Sequence, residues 1–131
     1  MTIHEKKLRL LVVEDETIIS IDLEATAEEF GHTVVDVASH VDRAIDRIEM
    51  HENDIDCVML DINLAGRSAR PVAERLEARG IPYVVISGVE EKEVRRQGYR
   101  GPFISKPADN RQIGAALQEA ARTAESLREL R

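Results

Sequence analysis

The chain has 131 residues, a length that suits one domain and hardly two. Eighteen Lys and Arg against 25 Asp and Glu give a formal net charge of −7, and 43% hydrophobic with 33% charged residues is the composition of neither a disordered chain nor a membrane protein. The acid excess argues against a general nucleic-acid binder, no apolar run approaches the ~20 residues of a membrane span, and the single cysteine, Cys57, excludes an internal disulfide framework.

The N-terminal Met-Thr-Ile-His-Glu-Lys-Lys is succeeded at once by a short apolar run and then acids, which is no secretory signal; a cytoplasmic location is the expectation. Five short aliphatic or β-branched runs, at 8–13, 33–37, 55–60, 83–86 and 103–105, predict strands. Helical periodicity fills the gaps between them. Ile19, Leu23, Ala27 and Phe30 share one face of a first helix, with Ile18 and Ile21 off that stripe and free for a partner contact. Val41, Ala44, Ile45 and Ile48 define a second helix, and Val72 with Leu76 a third. Ile113, Ala116, Leu117, Ala120, Ala124 and Leu127 form a stripe on a long terminal helix. Gly31 and Gly80 are candidate C-terminal stops, and Ser39 and Asp109 candidate N-caps. Cys57 is expected to pack as a small buried side chain. His4, His32, His40 and His51 lie apart without ligand spacing and are expected at the surface, and Arg67, Arg70, Arg75 and Arg79 on a solvated helix face.

Strands alternating with helices predict one α/β domain, a doubly wound five-stranded parallel sheet covered on both faces. In such a sheet ligands bind beyond the carboxyl ends of the strands. Glu14, Asp15 and Glu16 come after the first strand, Asp61 after the third, Ser87 and Gly88 after the fourth, and Lys106 with Pro107 after the fifth. Carboxylates brought within a few ångströms repel, and a bound divalent cation removes the conflict. An all-oxygen site with water access suits Mg²⁺. Such a cation and the Lys106 ammonium can neutralise a transferring phosphoryl group, with a strand-end aspartate as nucleophile. Each residue also has an ordinary alternative: acids at a helix N-terminus for Glu14, Asp15 and Glu16, a cap for Asp61, a turn hydroxyl for Ser87, a surface cation for Lys106.

The segments LRLLVVEDE, CVMLDINL, YVVISG and GPFISKP, in this order along the chain, resemble the receiver domain of bacterial two-component response regulators, the CheY-like superfamily. The resemblance runs from Leu8 to the terminal helix and implies a flavodoxin-like (βα)₅ fold with strand order 2-1-3-4-5. It implies that Asp61 accepts a phosphoryl group from a histidine kinase or histidine phosphotransfer protein. Mg²⁺ would be held by Glu14, Asp15, Asp61 and the backbone carbonyl of Asn63. Ser87 and Lys106 would bind phosphoryl oxygens, Ser87 and Phe103 would form the switch, and Lys106-Pro107 would adopt the cis peptide common at this position. The first helix, with Ile18 and Ile21, would contact the kinase.

Two departures are visible. Ser87 and Lys106 are only 19 positions apart, so the fourth helix, within 90–97, should be short or irregular. After Asp61 the chain reads Ile-Asn-Leu-Ala-Gly without a Met-Pro pair, and with Val-Ile-Ser-Gly this is similar to an alphaproteobacterial receiver subgroup named for a Phe-Ala-Thr-Gly-containing motif. The expectation is a single receiver domain over 1–131 with no output domain, acting as monomer or weak dimer on a downstream protein effector, without direct nucleic-acid or membrane binding. The rival expectations are a phosphorylation-independent interaction module of the same shape and, less favoured, a Mg²⁺-dependent phosphatase. That enzyme class wants a second Asp two residues after Asp61, where this chain has Asn63.

Overall fold

The computed structural model describes residues 7–129, with the side chains of residues 7–123 among them. Its elements run β1 (Arg9–Val13), α1 (Thr17–Glu29), β2 (Thr33–Ala38), α2 (Val41–Met50), β3 (Cys57–Asp61), β4 (Asn63–Leu64), β5 (Arg67–Ser68), α3 (Arg70–Arg79), β6 (Tyr83–Ser87), α4 (Glu91–Arg96), β7 (Phe103–Ser105) and α5 (Asn110–Glu129). The main sheet has order β2-β1-β3-β6-β7, every pair parallel. This is the expected 2-1-3-4-5 arrangement, with β6 and β7 as its fourth and fifth strands.

One element was not anticipated. An antiparallel β4–β5 hairpin stands between β3 and α3, pairing Asn63 with Ser68 and Leu64 with Arg67. Its two turn residues, Ala65 (φ 52°) and Gly66 (φ 83°), both take positive φ, the backbone that a tight two-residue hairpin requires. The Asn63 side chain closes the turn by accepting the Gly66 N–H at 3.0 Å.

The inner strands β1, β3 and β6 are apolar between their ends because successive side chains alternate between two cores. Leu11, Val13, Val58, Leu60 and Val85 face α2 and α3, together with Val94 of α4. Leu10, Val12, Cys57, Met59, Val84 and Ile86 face α1 and α5. The edge strand β2 is only half-buried along most of its length, and its register against β1 slips between Leu10 and Leu11. Cys57 is buried, and burial pushes its thiol up to about 12.

The helices follow the predicted stripes with specific exceptions. Leu23 and Ala27 are buried, but Phe30 lies at the end of α1, 40% exposed, with its ring against Gly114 of α5. Ile18 and Ile21 are 83% and 61% exposed. Helix α2 is capped by His40, whose Nδ1 accepts the Arg43 N–H, and not by Ser39: the helix begins one residue later than expected. Gly80 ends α3 in the left-handed conformation. Asp109 opens α5 as predicted, its Oδ1 accepting the Arg111 N–H at 2.7 Å. Helix α4 is short, and Val94 is its buried residue. Ala124 and Leu127 of the predicted terminal stripe lie outside the described side chains.

Two surface assignments are corrected. His32 is buried, its Nδ1 accepting the Leu8 N–H at 3.0 Å, because the turn from α1 into β2 leaves that strand-entry donor without a sheet partner. His51 is half-buried beside Asp36, and His4 lies outside the described residues. The four arginines do not form one solvated helix face either. Arg67 belongs to the hairpin, Arg75 and Arg79 pair with Glu49 of α2, and Arg70 stands over the Tyr99 ring.

Candidate functional site

Strands β1 and β3 lie side by side in parallel, so the loops leaving their carboxyl ends meet. Val13 and Leu60 are register partners, which brings Glu14 and Asp15 beside Asp61. Oxygens of these three carboxylates lie within 4.8 Å of one another. Lys106, on the loop after β7, reaches across to them. Its Nζ is 2.9 Å from Glu14 Oε1 and 3.1 Å from Asp61 Oδ2. The Lys106 N–H also donates to the Ser87 carbonyl at 2.9 Å, joining that loop to the end of β6, and the Lys106–Pro107 peptide bond is cis.

Each carboxylate is further held by a backbone donor. Asp61 Oδ1 accepts the Asn63 N–H at 3.1 Å, Glu14 Oε2 accepts the Glu16 N–H at 3.1 Å, and Asp15 Oδ2 accepts the Ala65 N–H at 3.2 Å. The Ser87 hydroxyl, itself buried, accepts the Val89 N–H at 2.9 Å. Together Asp15, Asp61, Asn63, Ser87 and Lys106 line a cleft of about 340 Å³, closed on one side by Ala65 and Gly66 of the hairpin.

The electrostatics are unbalanced. Glu14 and Asp61 are buried and Asp15 is half-buried, facing one ammonium. Burial above all raises the Glu14 carboxyl to about 7; the Asp61 charge adds to the rise, against the hydrogen bonds from Lys106 and the Glu16 N–H. Burial alone would depress Lys106, but its hydrogen bonds to Glu14 and Asp61 outweigh that and hold it above the usual lysine range. An all-oxygen donor set that one ammonium leaves short of neutral fits a hard divalent cation of the Mg²⁺ kind.

Residues 10–118 match the response regulator receiver domain. The chain belongs to the response regulator receiver family. This receiver is 29% identical over 114 residues to the phyllosphere-induced regulator PhyR of Methylorubrum extorquens, across 85% of this chain and 42% of that protein. It superposes on the crystal structure of the response regulator PhyR from Brucella abortus with TM-score 0.81 at 28% identity, over 93% of this chain and 51% of that one. The solution structure of SdrG from Sphingomonas melonis Fr1 matches with TM-score 0.75 at 34% identity, over 88% of this chain and 97% of the other. The receiver thus spans about half or less of the two PhyR chains.

Of the residues singled out in the sequence, Asp15, Asp61, Asn63, Ser87 and Lys106 line this cleft, and Glu14 is buried beside them against Lys106. Glu16 sits at the N-cap of α1 and makes no side-chain capping bond. Phe103 stands apart: half-buried on β7, it lines a different cleft, of about 560 Å³, between α4 and α5. Sequence reading missed the hairpin donor at Ala65. The Ala-Gly pair between Leu64 and Arg67 was the available signal, since a glycine there permits the left-handed turn. Among the described residues no helix is long and apolar enough to cross a membrane.

Proposed function

We propose that this receiver accepts a phosphoryl group on Asp61 from a histidine kinase or histidine phosphotransfer protein, and that the modification switches binding to a downstream protein effector. The observation that carries the reading is the Lys106 ammonium bridging the buried carboxylates of Asp61 and Glu14 beside an oxygen-lined cleft. In the transfer, an Asp61 carboxylate oxygen bonds to phosphorus while the P–N bond of the donor phosphohistidine breaks, and the departing imidazole takes up a proton. Lys106 then pairs with a phosphoryl oxygen, a charge-assisted contact. The Ser87 hydroxyl, which now accepts the Val89 N–H, turns to donate to a second one.

Glu14, Asp15, Asp61 and the Asn63 carbonyl are the residues that would hold Mg²⁺. Bound there, it supplies neutralisation of the phosphoryl charge during transfer. The exposed Ile18 and Ile21 of α1 are the proposed kinase contact. The protein works in the cytoplasm as a monomer or weak dimer, without direct contact to nucleic acid or membrane. Nothing favours the phosphatase alternative. Asn63 offers no acid where such an enzyme needs one, and its side chain is occupied with the Gly66 N–H.

Intact-mass measurement after incubation with acetyl phosphate and Mg²⁺ tests the reading. One added phosphoryl group, absent in Asp61→Ala, is expected. No addition, or addition that survives the substitution, overturns it. Partner binding that persists unchanged in Asp61→Ala would instead support the phosphorylation-independent module.

A further inference from the structure

Asp61 is tied to the base of the hairpin through the Asn63 N–H at 3.1 Å, and Asp15 is the member of the carboxylate cluster tied to its turn. Asp15 Oδ2 accepts the N–H of Ala65, the first turn residue, at 3.2 Å. The other end of the hairpin is also tied. The Ser68 hydroxyl accepts the Arg70 N–H at 3.1 Å and shares a 3.3 Å hydrogen bond with the Tyr99 hydroxyl. Tyr99 is fully buried although it lies in the loop after α4. Its N–H donates to the Val94 carbonyl, and its own carbonyl accepts from the Arg95 guanidinium at 3.3 Å. Arg70 stands 5.1 Å over its ring and donates to the Gly98 carbonyl at 3.2 Å. Val94 and Tyr99 are therefore what pins α4 to the domain: the helix itself buries little else.

We propose that the β4–β5 hairpin mechanically couples the Asp15 carboxylate to α4, through Ser68 and Tyr99, by a route separate from Ser87 and Phe103. The hairpin is short and closed by paired residues, so a displacement at its turn carries to its base. A cation held by the Asp15 carboxylate would withdraw charge from the group that receives the Ala65 N–H, and the turn would adjust. In the other direction, Ser68 anchored on Tyr99 holds the turn where Ala65 orients Asp15. Linkage makes the two effects equal in free energy. Ser68 and Tyr99 are thus positioning residues for the acidic cluster. The proposal rests on the proposed phosphoacceptor function for the identity of the ligand, Mg²⁺.

The test is a Mg²⁺ titration monitored by amide NMR in the wild type, Ser68→Ala, Tyr99→Phe and Phe103→Leu. Ser68 is exposed, so removing its hydroxyl leaves the core intact. In the wild type, the Asp15, Ala65, Ser68, Val94 and Tyr99 resonances should move with one dissociation constant. In Ser68→Ala and Tyr99→Phe, the Ala65 shift should persist while those of Val94 and Tyr99 fall by more than half. Mg²⁺ affinity in both should weaken roughly two- to tenfold, the range to which the net worth of one hydrogen bond converts. Phe103→Leu should leave the Tyr99 response in place. Unchanged Tyr99 shifts and affinity in Ser68→Ala overturn the coupling, and loss of the Tyr99 response in Phe103→Leu overturns its independence. Mg²⁺ that perturbs Asp15 and Asp61 in the wild type but leaves Tyr99 unmoved sinks the coupling alone. Mg²⁺ that perturbs none of them sinks the functional reading and the coupling together.

Discussion

Lys106 and Glu14 stand 92 residues apart in the chain and 2.9 Å apart in the fold, an ammonium against a carboxyl whose side chain is wholly buried. The contact crosses the sheet from the loop after β7 to the end of β1. It therefore forms only once β3 and β6 are in place between them. The same ammonium holds Asp61, so a single cation keeps two buried acids from facing each other unscreened.

Replacing Lys106 by Met keeps the length of the side chain and removes its charge. Without metal, the variant should unfold about 1–3 kcal/mol more easily in urea, the cost of taking a charged hydrogen-bond partner from buried carboxylates. Mg²⁺ should have the opposite preference. Ammonium and divalent cation compete for the same oxygens, so calorimetry should find Mg²⁺ bound roughly three- to tenfold more tightly by Lys106→Met. That is a fraction of the ~4 kcal/mol that two unit charges exert at 4 Å in an effective dielectric of 20. Equal affinity in both proteins would mean that Lys106 and the cation do not share a site.

Gly101 and Gly66 both take positive φ, 84° and 83°, but they are not equally replaceable. A β-carbon on Gly101 would lie 2.2 Å from the Tyr83 carbonyl oxygen, a backbone atom of a central strand that cannot step aside. One on Gly66 would meet nothing within 4 Å. Gly101→Ala should cost more than about 2 kcal/mol, clash added to backbone strain. Gly66→Ala should cost about 1 kcal/mol, the strain alone. Chemical-denaturation midpoints of the two variants measure the difference, and equal losses would contradict the close approach at Gly101.

The Tyr83 hydroxyl donates to Glu77 at 2.6 Å and accepts the Arg100 N–H at 2.9 Å. Burial first, then the bond to Glu77, raises its ionisation from 10.0 to about 12. The folded state therefore holds this proton more tightly than the unfolded chain does. Its contribution to stability is complete below pH 10 and is lost as pH rises toward 12. Lys106, also raised, loses its contribution in the same direction at alkaline pH, in wild type and variant alike. Tyr83→Phe should be less stable than wild type by about 1 kcal/mol at pH 8, and the gap should narrow between pH 10 and 12. Thermal melts across that interval give the answer, and a constant gap would show that the phenol does not titrate with unfolding.

How far the sequence reached depends on the kind of residue concerned. The strands were legible because a strand buried on both faces must be apolar along its length, as β3 and β6 are up to the Asp61 and Ser87 that end them. Glu14, Asp15, Asp61, Ser87 and Lys106 were legible because each ends such a run, and a parallel sheet gathers its strand ends at one edge. The short α4 came from counting residues between Ser87 and Lys106. Phe103 shows the boundary of that logic. It ends no strand, and nothing in its neighbours says that it faces a cleft other than the acidic one.

What only the tertiary structure decided was the set of partners. The two-residue strands of the hairpin are too short to carry a hydrophobic period. The donors that hold Asp15, Glu14 and Asp61 are backbone N–H groups, which every residue but proline possesses, so no letter of the sequence marks Glu16 or Asn63 for that task, and only the glycine beside Ala65 hints at the turn that presents its N–H. His32 under Leu8, Arg75 and Arg79 on Glu49, and Ser68 on Tyr99 are pairings between distant segments, chosen by which helices and loops pack together. Residue type and spacing determined which side chains this protein brings to the edge of its sheet. Packing determined which of them are held, and by what.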